Sequence, residues 1–164
     1  DAHPLRLWKA SAEIEASQGE VLNRILREQN IWDKNFQQSK VIEALDKHTE
    51  IYHYTTQSAV SQPPRDYVVQ RSWQADIHTG TCVLAAASVE HAGAMCEGIR
   101  GEVMACQYLI QTTGLRKTRL THICRTDSRG RTPEWYNKVF GHQHAAELLR
   151  IQDSFKPEMK ETKI

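Results

Sequence analysis

The segment from Thr132 to Pro157 does most to limit what this chain can fold into. Thr132 is a cap residue directly before Pro133, and proline suits the first helical position because its missing N–H would be an orphan there anyway. The pattern predicts a helix from Pro133 to about Phe155, stopped by Pro157. At 1.5 Å per residue that is a rod of roughly 34 Å. It is apolar on two adjacent sides: Trp135, Val139, Ala146 and Leu149 form one stripe, and Phe140, Leu148, Ile151 and Phe155 the next. A helix at a surface buries one stripe; covering two requires a partner that curves around it. Gly141 sits inside this helix, where glycine costs about 1 kcal/mol relative to alanine. It permits a bend, allows a close approach, or is simply tolerated.

The curved partner is legible upstream. Leu5–Ala16 alternates as a first strand, and Ser17 with Glu20 has capping-box spacing before a helix that ends near Trp32. Lys40–Leu45 and Glu50–Gln57 read as strands joined by the polar turn Asp46-Lys47-His48-Thr49. Asp66–Trp73, Thr81–Val89, Arg100–Gln111 and Thr118–Asp127 follow as further strands, separated by loops rich in Gly, Pro and Asp. Strands segregated from helices by tight turns indicate an α+β domain, an antiparallel sheet wrapped around the last helix. Ala85, Ala86 and Ala87 leave room on that sheet, for close helix packing or for a ligand.

One strand raises a chemical problem. In Asp66–Trp73 the bulkier face carries Tyr67, Val69, Arg71 and Trp73. A buried guanidinium cannot shed its charge and is costly without partners. Arg71 therefore has a buried partner, faces a water-containing cavity, keeps its head at an edge, or lies in a different register.

A length of 164 residues suits one domain. A net charge of +1 gives no reason to expect a nucleic-acid partner. Two basic groups, Arg116-Lys117-Thr118-Arg119 and Arg125, Arg129 and Arg131, read as solvated edges or as a contact for a membrane surface. The cysteines, Cys82, Cys96, Cys106 and Cys124, lack C-x-x-C spacing, and three lie in apolar runs as small hydrophobes. That favours a reducing, cytoplasmic setting. No window approaches the ~20 apolar residues of a membrane span, and the first residues are not a signal peptide. His142 and His144 are two apart, and His122 lies beside Cys124 with no third ligand at a metal-site spacing, so no metal and no cofactor is expected. No nucleophile–base motif appears, which points away from an enzyme. Thr162-Lys163-Ile164 has the form of a carboxylate-terminated PDZ ligand.

PRDYVVQR at Pro64–Arg71 resembles a signature segment of START domains, the steroidogenic-acute-regulatory-related lipid-transfer modules. TCVLAAASV, GIRGE, KTRLTHICRTDSRGRTPEW and the terminal helix follow in the family's order and cover nearly the whole chain. PLRLWK, VLNRILREQNIWD, RLTHICR, PEWYNKVFGH and ETKI are most similar to the START domain of the Deleted-in-Liver-Cancer Rho GTPase-activating proteins. The resemblance implies a single helix-grip domain over 1–164, lacking the family's usual first helix, with one lipid between the sheet and the last helix. Arg71 and Tyr54 would address the lipid's polar end. Tyr67, Val69, Trp73, Ala86, Trp135, Val139 and Phe140 would line its apolar part. Glu90–Gly98, Ser128–Thr132 and the start of the long helix would form the gate, with transient contact to a membrane surface. A Rho-family GTPase would be met through another domain of the full-length protein.

In sterol-binding members the matching arginine faces an acidic residue on the neighbouring hairpin strand. Aligning IYHYTTQS with that strand places Tyr54 at the acidic position, which leaves room for an anionic head group on Arg71. The competing expectation is an interaction module with a shrunken pocket.

Overall fold

The computed structural model describes residues 3–157; the PDZ-like ending lies outside them. Strands are β1 (Trp8–Ile14), β2 (Phe36–Asp46), β3 (Thr49–Thr56), β4 (Arg65–Asp76), β5 (Thr81–Ser88), β6 (Ile99–Arg100), β7 (Glu102–Gly114) and β8 (Lys117–Asp127). They make one sheet in the order β1-β8-β7-β5-β4-β3-β2. The ladder is antiparallel except where short β6 lies parallel to β4. Helices α1 (Gln18–Arg27) and α2 (Gln29–Trp32) follow β1, and α3 (Pro133–Trp135), a π-helical turn (Tyr136–Phe140) and α4 (Gly141–Asp153) follow β8. This is the α+β helix-grip arrangement.

Local chemistry explains the well-read parts. Ser17 caps α1 through the Glu20 amide, and the Glu20 carboxylate returns to the Ser17 amide. Strict alternation along β1 turns Trp8, Ala10, Ala12 and Ile14 inward and Lys9, Ser11 and Glu13 outward. The Thr132 hydroxyl accepts from the Trp135 amide and starts α3. The main core joins Ile14, Val21, Ile25, Leu84, Ile110 and Leu120 to Leu148 and Ile151 of α4. Complete burial of a side chain of that size contributes about 1.5–3 kcal/mol.

Several expectations are corrected. The strand expected from Lys40 starts at Phe36, and the first helix divides at Glu28. The terminal helix is not one regular rod. Its π turn inserts an extra residue per turn and rotates the following apolar positions. Leu149, placed on a buried stripe by 3.6-residue periodicity, is consequently 52% exposed, and α4 ends before Phe155. Of the three alanines, only Ala86 turns inward; Ala85 and Ala87 are exposed, as the pleat requires. Gly141 serves close approach: a Cβ there would lie 2.5 Å from the Trp8 ring of β1. Among the described residues, no helix is long and apolar enough to cross a membrane.

Candidate functional site

The partner of Arg71 is Glu50, directly opposite it in the β3–β4 register. Arg71 Nε donates to Glu50 Oε2 at 2.9 Å, and Nη2 donates to the Leu26 carbonyl at 2.7 Å. The guanidinium lies 3.6 Å from the centroid of the Tyr52 ring. Arg27 clamps the same carboxylate, donating to both oxygens at 2.6 and 2.9 Å. Burial pushes the Glu50 carboxyl up, but the hydrogen bonds from Arg27 and the charge of Arg71 outweigh it and hold the group below its ordinary range.

Tyr54 is therefore not opposite Arg71. It faces Tyr67 in the ladder, and the two rings stack at 5.1 Å. The carboxylate that seemed to be missing is four residues before Tyr54, on the same face of β3 by the two-residue period.

A cavity of about 250 Å³ lies between the sheet and the C-terminal helical segments. Tyr54 and Tyr67 form one wall; Cys106, Tyr108, His122 and Cys124 of β7 and β8 form the floor. Trp135, Phe140, His144 and Glu147 roof it, and Asp33 closes the end below α2. It reaches exposed residues at Ser58 and Arg131.

Of the expected site residues, Tyr54, Tyr67, Trp135 and Phe140 come together on this cavity. Arg71, Val69, Trp73, Ala86 and Val139 are not part of its lining. Val69 and Ala86 belong to a small cluster beside it with Tyr52 and Val103. Trp73 packs on the main core with its ring 5.8 Å from the Arg27 guanidinium. Arg71 is held back by Glu50.

Sequence reasoning missed the polar floor and roof. Cys106 and Tyr108 share one face of β7, and His122 and Cys124 one face of β8, so period-two alternation carries the signal once a single inward residue is known. His144 and Glu147 required the phase of the helix, which the π turn alters.

Burial shifts several of these groups toward their neutral forms. Burial, helped by neighbouring His122, pushes His144 down to about 4. Burial, helped by the charge of Asp33, pushes Glu147 up to about 8. Burial likewise raises the Tyr54 phenol well above its ordinary value. His144 is 3% exposed, and its Nε2 has no hydrogen-bond partner among the described residues. Asp33 is satisfied by the Gln29 side chain and the Asn35 amide, each at 3.0 Å.

The mouth is tied by backbone contacts. Arg65 of β4 donates to the carbonyls of Ser128, Arg129 and Pro63, at 2.6, 3.1 and 2.8 Å. Arg131 lies 4.6 Å above the Trp135 ring. Fully buried Asp66 fastens the loop at 89–98: it pairs with Arg100 of β6, accepts from the Glu97 amide at 3.4 Å, and lies 2.5 Å from His53 Nε2. Among the described residues, no group of side chains has the geometry to hold a metal ion.

An antiparallel sheet closed by its C-terminal helix over an internal cavity, with aromatic walls and a loop-built mouth, defines the helix-grip class. The START domain matches residues 1–162, and the chain belongs to that family. It is 54% identical to StAR-related lipid transfer protein 13 of Mus musculus, over an alignment covering 100% of this chain and 15% of that protein. It is 48% identical to Rho GTPase-activating protein 7 of Bos taurus, covering 98% of this chain and 14% of that one. The solved human StarD13 (DLC2) lipid transfer and protein localization domain superimposes with a TM-score of 0.91 at 53% identity, covering 96% of this chain and 80% of that domain. The chain thus spans a small part of the full-length proteins it resembles.

Proposed function

We propose that this chain is a non-enzymatic lipid-binding START module of a Rho GTPase-activating regulator. It holds one lipid between the sheet and the C-terminal helix. The observation that carries this reading is the cavity itself, walled by Tyr54, Tyr67, Trp135 and Phe140, with His144 and Glu147 shifted toward their neutral forms by burial. Apolar lipid surface removed from water there contributes roughly 25 cal/mol per Å². The polar end of the ligand meets Tyr54 and the His144–Glu147 turn. Arg71 acts behind the wall, because its charge is already matched by Glu50. The start of the terminal helix and the loops at 89–98 and 128–132 move to admit the ligand. Arg129 and Arg131 at the mouth favour a peripheral contact with anionic membrane from the cytoplasmic side. Contact with a Rho-family GTPase belongs to another domain, as the name of the bovine relative suggests.

The volume favours keeping a second reading. About 250 Å³ lies just under the roughly 300–1,000 Å³ of common ligand pockets. A module that keeps the fold but acts through its surface would have such a reduced interior. Native mass spectrometry of the purified chain, before and after incubation with vesicles of mixed phosphatidylcholine, phosphatidylserine and cholesterol, separates the two. One bound lipid per chain is the expected result. A chain that stays lipid-free throughout defeats the lipid reading and leaves the interaction module.

A further inference from the structure

Cys106 on β7 and Cys124 on β8 are direct partners across the antiparallel ladder. Opposed residues in such a ladder have Cα atoms about 4.5–5.5 Å apart, within the roughly 4.4–6.8 Å that a disulfide spans. Both are free thiols, and both line the cavity floor. Cys106 Sγ is 3.4 Å from His122 Nε2, and Cys124 Sγ is 3.3 Å from the Thr126 hydroxyl. The other two cysteines stand apart: Cys82 lies in the main core, and Cys96 is exposed on the loop before β6.

A cysteine used only as a small hydrophobe needs no polar company. Here two thiols face each other across a ladder and each has a polar partner, the His122 imidazole for Cys106 and the Thr126 hydroxyl for Cys124, on a cavity that reaches exposed residues. We propose that Cys106 and Cys124 are a dithiol oxidised by hydroperoxides to a cross-strand disulfide in the cavity floor.

The step balances. The Cys124 sulfur attacks the terminal oxygen of R–O–O–H and the O–O bond breaks. The alkoxide leaves as R–OH, taking the Cys124 thiol proton, and Cys124 becomes a sulfenic acid. The Cys106 sulfur then attacks the Cys124 sulfur, the S–OH bond breaks, and hydroxide leaves as water with the Cys106 proton. Two thiols lose two electrons and two protons; one hydroperoxide becomes one alcohol, or water when R is hydrogen, plus one water.

The environment divides the roles. The facing Cys106 thiol, with the nearby His122 and Thr126, outweighs burial and draws the Cys124 thiol well below its ordinary range, while facing Cys124, with burial, pushes Cys106 up. Cys124 is the attacking sulfur and Cys106 the resolving one. The bridge pins β7 to β8 beneath the ligand and removes both thiol donors from the floor. The oxidation requires only entry of a small peroxide, so it stands whether or not a lipid occupies the cavity.

The test uses the chain carrying Cys96→Ser, treated with hydrogen peroxide and, separately, with cumene hydroperoxide. The expected product has lost two hydrogens in intact mass and two titratable thiols. It contains a linked Cys106–Cys124 peptide and returns to the starting mass with dithiothreitol. Adding Cys106→Ser stops the reaction at a Cys124 sulfenic acid that dimedone traps. Gain of oxygen on each thiol without a bridge overturns the proposal, as does a peptide map linking either cysteine elsewhere, or two thiols that stay reduced. If the Cys106→Ser chain does not fold, the peptide map of the Cys96→Ser chain decides alone. Native mass spectra of the same sample report lipid occupancy, so a bridge in a lipid-free chain tells against the lipid reading only.

Discussion

Replacing Glu50 by glutamine keeps the shape of the Arg27–Glu50–Arg71 cluster and removes its only anion. The two arginines respond differently. The Arg27 side chain is 44% exposed and can turn to water; that of Arg71 is 7% exposed and cannot. The variant therefore leaves one buried cation with a neutral amide, the Leu26 carbonyl and the Tyr52 ring. Removing one partner of a buried ion pair costs about 3–5 kcal/mol. Near 2–4 °C per kcal/mol for a chain of this size, the midpoint falls by roughly 6–20 °C. Urea unfolding followed by tryptophan fluorescence, with calorimetry beside it, measures both quantities. The informative variant is the double one, Glu50→Gln with Arg71→Met. Removing the stranded cation should restore part of the lost stability, a coupling absent between independent sites. A Glu50→Gln chain within about 1 kcal/mol of the parent would refute the reasoning, as would a double variant whose losses simply add.

Other consequences follow from the same contacts. Glu147 is raised to about 8 from an ordinary 4.5, so its folded form holds the proton more tightly. Its stabilising contribution is full below about pH 4.5, declines as pH rises, and is gone above about pH 8; Glu147→Gln should flatten that limb in a pH series of urea midpoints, and an unchanged slope would contradict the assignment. His144 acts at the other end: lowered from 6.5 to about 4, it contributes stability above about pH 6.5 that is lost as pH falls toward about 4. Gly141→Ala gains about 1 kcal/mol of helix propensity but overpacks the Trp8 ring by about 1–3 kcal/mol. Thermal unfolding should show a net loss, and a stabilised variant would mean that the ring yields. Asp66→Asn removes the anion beneath the loop at 89–98, and hydrogen exchange should speed up at residues 94–100 while the β7–β8 ladder stays protected.

The parts read correctly in advance were written in local chemistry. Ser17 with Glu20, Thr132 before Pro133, and the alternation of β1 each act within a few residues, so short-range pattern suffices. The strand carrying Arg71 was legible for the same reason, and so was its need for a partner. The partner was not. Choosing between Glu50 and Tyr54 is a matter of register, and both occupy the same face of β3, so alternation cannot separate them; the hairpin turn and the β3–β4 ladder place Glu50 opposite. The terminal helix shows the converse failure, because its π turn shifts the phase of every later residue while leaving its apolar content unchanged.

By itself the sequence determined an α+β sheet gripping a C-terminal helix, and a buried arginine that had to be neutralised. Those are properties of periodicity and of charge, carried by residues one at a time. Tertiary structure alone decided that Glu50 neutralises Arg71, that the cavity is bounded by Tyr54, Tyr67, Trp135 and Phe140, and that Cys106 meets Cys124 beside His122. A cavity is the space left between surfaces far apart in the chain, and an ion pair is a distance between two strands. Neither exists until packing brings those strands together.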